Sequence, residues 1–317
     1  MANKKRSNSK TTQTILAFAG LIALIIIFSL FSPNFLTYNN LVTILLMTAV
    51  NGILAVGITF IIVTGGIDLS IGTVMTFCSV MAGVFITMLG MPVFVGIIAA
   101  VIAGALCGFV NGVSIAKLKL PPFIATLGMM NITKGLNLIV SGTKPVYFTD
   151  IPNFGSIATR PILGIPLGVL VFFGTALVAS FILSKTIIGR YTFAIGSNED
   201  AARLSGINTD AWKIGIYSLS GAFFGIAGIV MASRLNSAQP ALGPGYEMDA
   251  IAAAVIGGAS LSGGEGSILG TVIGAFIITV LTNGLRILSV PQEWQMVVTG
   301  LIVIGAVYLD IARRKIK

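Results

Sequence analysis

No histidine occurs in the 317 residues, and only two cysteines and ten carboxylates do. Each shortage removes a class of chemistry. Without imidazole there is no histidine metal centre, proton shuttle or Ser-His triad. Cys78 and Cys107 both lie inside apolar stretches, far from any metal-ligand spacing. There a thiol behaves as a small hydrophobe, so neither a disulfide framework nor a metal site is implied. The string G-x-x-x-x-G-K-[ST] is absent, which excludes ATP hydrolysis by a phosphate loop of this chain. No serine, lysine or aspartate stands in a recognisable nucleophile frame. The expectation is a chain that is not an enzyme, has no catalytic residues and binds no cofactor or metal.

Charge is equally scarce, at 9% of residues against 56% hydrophobic and 38 glycines, with a mean hydropathy of +1.00. Those values decide against a soluble protein. Several uncharged windows are long enough to cross roughly 30 Å of hydrocarbon as helices, so the core is shared with membrane lipid. The net charge of +9 is carried by basic residues scattered at the ends of apolar segments. A nucleic-acid surface would cluster them with aromatics on one face, so no nucleic-acid partner is expected.

Taken in order, the apolar segments fall at 14–31, 41–63, 71–89, 93–116, 121–140, a sixth ending at 183, 212–232, an eighth ending at 257, 268–285 and 294–309. The fold class this predicts is all-α: a polytopic membrane protein of about ten transmembrane helices, with segments two, three, eight and nine open to being broken or re-entrant. The first span reads as uncleaved, because no small-x-small site follows it. Fourteen of the nineteen lysines and arginines then lie on the inner side, and Lys134, Lys144, Arg160, Arg234 and Arg286 on the outer. That bias places both termini in the cytoplasm. One domain, 1–317, is expected, with inner tails at 1–13 and 311–317 and a long inner loop at 184–213.

Two stretches echo each other. Residues 63–70 (VTGGIDLS) and 255–262 (VIGGASLS) share the frame V-x-G-G-x-x-L-S, and each is followed by G-T-V. Both follow a segment running inward, which suggests a parallel internal repeat. Within the first, Asp68 is one of the few acids beside an apolar segment. A charge in hydrocarbon costs at least about 2.5 kcal/mol, so it faces a cavity, a partner or the interface. It reads either as a pathway group or as an N-cap of segment three. Gly65, Gly66, Asp68 and Ser70, with Gly257, Gly258, Ser260 and Ser262 of the echo, are the pathway or gating candidates, together with the intramembrane amide Asn51.

The loop 184–213 holds a short helix. Ser197 followed by Asp200 has the spacing of a capping box, and Gly206 supplies a terminator after Ala201, Ala202 and Leu204. Two turns are too few for a helix to stand alone, so something else must hold it.

Ordered phrases across nearly the whole chain resemble the membrane permease subunits of ribose-type ABC sugar importers: 62–70 (IVTGGIDLS), 122–127 (PFIATL), 189–191 (GRY), 194–199 (AIGSNE), 203–207 (RLSGI), 237–240 (SAQP), 245–254 (GYEMDAIAAA) and 257–264 (GGASLSGG). The resemblance implies a transport subunit in the bacterial inner membrane. Its partners would be an ABC ATPase subunit, an extracytoplasmic sugar-binding protein and a second permease copy. It also implies that the short helix docks into the ATPase: Ser197, Asn198, Glu199, Asp200, Ala201, Ala202, Arg203, Leu204 and Gly206 are the coupling candidates, and Glu199 to Gly206 (EDAARLSG) is similar to the family's E-A-A-x-x-x-G pattern, with one residue inserted after the Glu. Ala201, Ala202 and Leu204 would then fill the partner groove while Glu199, Asp200 and Arg203 set register by charge. Lys144, Arg160 and Arg234 become candidates to meet the binding protein. The alternative is a secondary, ion-coupled transporter, which would need paired intramembrane ionisable groups where only isolated ones are found.

Overall fold

The structure is a computed structural model. It describes the backbone of residues 2–315 and the side chains of 14–305, 307 and 308. Side chains of the two expected tails, 1–13 and 311–317, lie outside the described residues. The helices run in the order α1 (Ala2–Phe31), α2 (Tyr38–Val63), α3 (Ile71–Gly83, continued by a π-helical turn Val84–Met88), α4 (Val93–Ala116), α5 (Pro122–Ser141), α6 (Ser156–Thr159) and α7 (Leu167–Lys185). After them come α8 (Ile187–Ser197), α9 (Glu199–Leu204), α10 (Thr209–Leu235), α11 (Tyr246–Ile256), α12 (Ile268–Ile287) and α13 (Gln292–Lys315).

Eight of these are long and apolar enough to cross a membrane among the described residues, which makes the protein a multi-pass membrane protein. Segment eight, one of the four open to being broken or re-entrant, is short. The expected eighth span is α11, whose 11 residues rise only about 16 Å, half of a bilayer core. It is preceded by non-helical backbone at 239–245. Such backbone is tolerated at membrane depth only where protein or water surrounds it. Segments two and nine, by contrast, are unbroken helices.

Close helix contact follows from small residues. Gly104, Gly108 and Gly112 repeat every fourth residue along α4 and so share one face. A Cβ at Gly104 would overlap the Gly221 carbonyl of α10, and one at Gly108 the Tyr217 carbonyl. Gly225 abuts Val101, and Gly228 abuts the Met75 carbonyl of α3. Packing of this kind replaces the hydrophobic drive that lipid removes. Around it α2, α3, α7 and α10 bury Ile53, Leu54, Phe60, Phe172 and Phe224 completely, and Phe60 stacks on Phe223 with ring centroids 5.9 Å apart.

At the upper end, which carries the α5–α7 connection, two short ladders cap the bundle. β1 (Val146–Tyr147) pairs antiparallel with β4 (Ser237–Ala238), and β2 (Pro161–Ile162) with β3 (Ile165–Pro166). Ser233 on α10 accepts the Ala158 N–H at 2.8 Å and donates to the Phe154 carbonyl at 2.8 Å, which fixes α6 against the helix. The lower end carries α8, α9 and both glycine-rich turns.

Candidate functional site: the junction of α8 and α9 with the glycine turns

The two echoing stretches lie side by side at the lower end. Each is a helix end, a Gly-Gly turn and a new helix: α2 into α3, and α11 into α12. The Gly264 N–H donates to the carbonyl of Val63, the last residue of α2, at 2.9 Å. Gly65 has φ +80° and Gly263 φ +82°, the left-handed region where a side chain is strained. Above the turns, Thr59 and Thr271 join α2 to α12 through their hydroxyls at 2.8 Å.

The end of α8 is wedged onto this pair. A Cβ on Gly196 would overlap the Val63 carbonyl, and one on Gly263 would come within 2.6 Å of the Gly196 carbonyl. A Cβ on Gly264 would reach Ser197 Oγ at 2.9 Å. The first turn, the second turn and the α8 end are therefore in backbone contact, with little slack between them.

Asp68 turns inward from the first turn and is 2% exposed. It accepts the Ser70 N–H at 2.7 Å, the Ser70 hydroxyl at 2.6 Å and the Asn111 amide of α4 at 3.4 Å. Asn111 also donates to Ser70 Oγ at 3.2 Å. The N-cap of α3 is Ser70, and Asp68 braces it from two residues upstream, so the N-cap reading of Asp68 is corrected. Burial pushes the Asp68 carboxyl above its ordinary value, against the downward pull of the Ser70 and Asn111 bonds. Beside it, a Cβ on Gly66 would lie 2.5 Å from the Tyr217 hydroxyl, which is buried and has no hydrogen-bond partner among the described residues.

The loop 184–213 holds two helices where one was expected. α9 starts from Asn198, whose side-chain oxygen accepts the Ala201 N–H at 2.9 Å, whereas Ser197 is the last residue of α8. The capping assigned to Ser197 is thus corrected by one position, since Asn caps as well as Ser. Ala202 is 5% exposed and packs inward, so it does not fill a partner's groove. Leu204 is 90% exposed and Ala201 is exposed beside it.

Charge ties α9 down. Glu199 accepts from Arg203 at 3.3 Å and from Lys213 of α10, and Arg203 also donates to Thr209 Oγ1 at 3.2 Å. Asp210 pairs with Lys119 at 2.9 Å, Lys117 at 3.5 Å and Arg203 at 3.9 Å. Partial burial pushes the Glu199 carboxyl up, but the Lys213 bond and charge outweigh it and hold it below its ordinary value. Two of the three charges expected to meet a partner are thus engaged within the chain, while Asp200 is exposed and in none of these pairs.

Not every candidate joins the junction. Gly257 packs on Gly270, and Ser260 is buried, its N–H donating to the Glu265 carbonyl at 3.0 Å; Gly258 has φ +95° and Ser262 is exposed. Asn51 lies on the order of 18 Å up α2 from Val63 at 1.5 Å per residue, buried, with its Oδ1 unpaired among the described residues. At the upper end Lys144 and Arg160 are exposed, whereas Arg234 is half-buried within electrostatic reach of Tyr246 and Arg286. Gly196 was missed as a contact residue. Its signal was present in the AIGSNE phrase, but close approach between distant backbones leaves no mark on local pattern.

Comparison with known proteins adds five findings. The family model described as "Branched-chain amino acid transport system / permease component" matches residues 40–307. The ribose import permease of Escherichia coli (strain K12) is 45% identical over 92% of this chain and 91% of its own length. That of Bacillus subtilis is 43% identical over 92% and 91%, and the fructose import permease of Rhizobium meliloti 37% identical over 89% and 81%. No solved structure matches.

Proposed function

The chain belongs to the branched-chain amino acid transport system permease component family, and we propose that it is the membrane-spanning permease subunit of an ATP-driven importer, carrying ribose or a related monosaccharide. ATP is hydrolysed by a separate ABC ATPase subunit, since the chain holds no phosphate loop. An extracytoplasmic binding protein delivers the sugar at the upper end, where Lys144 and Arg160 are exposed. Two copies of the chain pair in the membrane, with both termini in the cytoplasm.

The observation that carries this reading is the wedge of α8–α9 onto both glycine turns. A six-residue helix is far below the length that stands alone, and α9 presents Leu204 outward while α8, which leads directly into it, rests its end, Gly196 and Ser197, on Val63 and Gly264. A partner that grips Leu204 and moves would move the α2–α3 and α11–α12 turns together. This is a lever from a soluble motor to the bundle. The ion-coupled alternative finds no support among the relatives.

Reconstitution tests it. Vesicles holding the chain, its genomic-neighbour ATPase and binding protein should take up D-ribose or D-fructose only when ATP is supplied to the ATPase side. Uptake driven by an ion gradient in vesicles without the ATPase would overturn the proposal.

A further inference from the structure

One face of α5 is wrong for lipid. Gly128, Asn131, Lys134, Gly135 and Leu138 fall within about 120° of one another at 100° per residue, and Asn131, Lys134 and Leu138 are exposed. Nothing approaches Gly128 or Gly135 within 4 Å. Lys134 lies well inside a span, and among the described residues it makes no ion pair or hydrogen bond. A bare ammonium there facing hydrocarbon would cost several kcal/mol, so the face is wet.

At the edge of that face is a cavity of about 240 Å³ between α5, the start of α3 and the non-helical approach to α11. Its polar groups are Lys134, Asn137 and Thr73, and Leu138, Pro240, Ala241 and Pro244 make an apolar wall. Asn137 is 1% exposed and gives its amide N–H to the Thr73 carbonyl at 3.3 Å, which leaves its Oδ1 without a partner among the described residues. The Thr73 hydroxyl accepts from Thr133 at 2.7 Å and donates to the Ser70 carbonyl at 3.0 Å, so the cavity is joined through one residue to the Asp68 turn. Buried polar groups left unmatched await a ligand or water.

We propose that this cavity is a substrate subsite within the permease, taking the hydroxyls of an uncharged monosaccharide in transit between Lys134 and Asn137. The ammonium supplies donors and the amide oxygen an acceptor, which is the pairing a hydroxyl needs. The proline and leucine wall suits the C–H face of a sugar ring. No carboxylate lines the cavity, so it does not select cations, and a single cation with an apolar wall is poorly matched to a multiply charged anion. The assignment rests on the transport reading above and adds the place where the sugar is held.

The test uses cells carrying the complete transporter. Lys134→Cys and Asn131→Cys are treated with a membrane-impermeant methanethiosulfonate, with Leu177→Cys, 72% exposed on α7, as the lipid-face control. The native cysteines are buried and give little background. Lys134→Cys and Asn131→Cys should react while Leu177→Cys does not, and saturating D-ribose or D-fructose, whichever the wild type transports, should slow the reaction of Asn131→Cys, which keeps Lys134, at least about fivefold. Lys134→Met should lower uptake about tenfold or more, the loss of one strong hydrogen bond, and Lys134→Arg should restore much of it. An inert Lys134→Cys, or a rate unchanged by sugar but slowed by chloride or phosphate, overturns the subsite. If wild-type cells take up no monosaccharide, the sugar-import reading itself fails and the subsite with it.

Discussion

Gly196, next to last in α8, rests its α-carbon against the carbonyl of Val63, the last residue of α2, so closely that any side chain at Gly196 would occupy the same space. The helix that leads into α9 is therefore in direct backbone contact with the helix that enters the first glycine turn. Gly196→Ala must push the two apart. Overpacking of this kind costs about 1–3 kcal/mol. The thermal midpoint in detergent should fall by several degrees, and sugar-stimulated ATPase activity of the assembled transporter should fall more than stability does. Gly215→Ala on α10, where nothing lies within 4 Å, is the control and should be neutral or slightly stabilising.

Leu204 tests the other end of the lever. Being 90% exposed, it contributes almost nothing to the fold of the free chain. Leu204→Ala should leave the thermal midpoint unchanged and weaken capture of the ATPase in a pull-down by about tenfold or more, the behaviour of an apolar anchor at an interface centre. Ala202→Leu inverts the pattern: a buried alanine enlarged should destabilise the chain by about 1–3 kcal/mol. Equal capture of the ATPase by wild type and Leu204→Ala would remove Leu204 from the interface.

The division between what was legible and what was not follows from range. Hydropathy located nearly every helix because lipid imposes one rule on every span, and the V-x-G-G-x-x-L-S echo marked both turns that meet at the junction. The half-length of α11 was legible only as an open choice, segment eight being one of four open to a break, since Ala250 to Val255 is as apolar as any full span and nothing in that pattern marks a helix that starts only at Tyr246. The cap of α9 was placed on Ser197 because Asp200 follows at the right spacing; the side chain of Asn198 won because α8 continues through Ser197. Ala202 and Leu204, two apolar neighbours on a short helix, face opposite ways, and only the packing of α9 against the bundle decides which is which.

Asp68 gives a prediction with a definite sign in pH. Burial raises its carboxyl above the ordinary value of 3.8, so the folded state favours the protonated form. Stability from this group is full below the unfolded value and is lost as pH rises through the folded value. Asp68→Asn keeps an oxygen for the Ser70 N–H and never ionises. Wild type should therefore lose stability relative to Asp68→Asn as pH climbs from about 4 towards neutrality, measured as the difference in thermal midpoint. Asp68→Ala, which strands the Ser70 N–H and the Asn111 amide, should cost about 1–3 kcal/mol at any pH in that range.

Glu199 responds in the opposite sense. Partial burial raises its carboxyl, but the Lys213 bond dominates and the net shift is downward from 4.5, so its contribution is present above that value and lost as pH falls below it. Only then do Lys213 and Arg203 release α9. The readout is amide hydrogen exchange of Ala201 to Ser205, because a six-residue helix with one cap opens locally long before the bundle does. Exchange there should quicken as pH drops beneath the carboxylate range, after correction for the intrinsic pH dependence, and Glu199→Gln should show the quickened rate already at neutral pH. Asn198→Ala should quicken it too, by the roughly 1 kcal/mol of a lost cap, without altering the pH profile. If both variants exchange like wild type, the ion pairs do not hold α9, and the contacts of Ala202 and Gly196 alone fix it to the bundle.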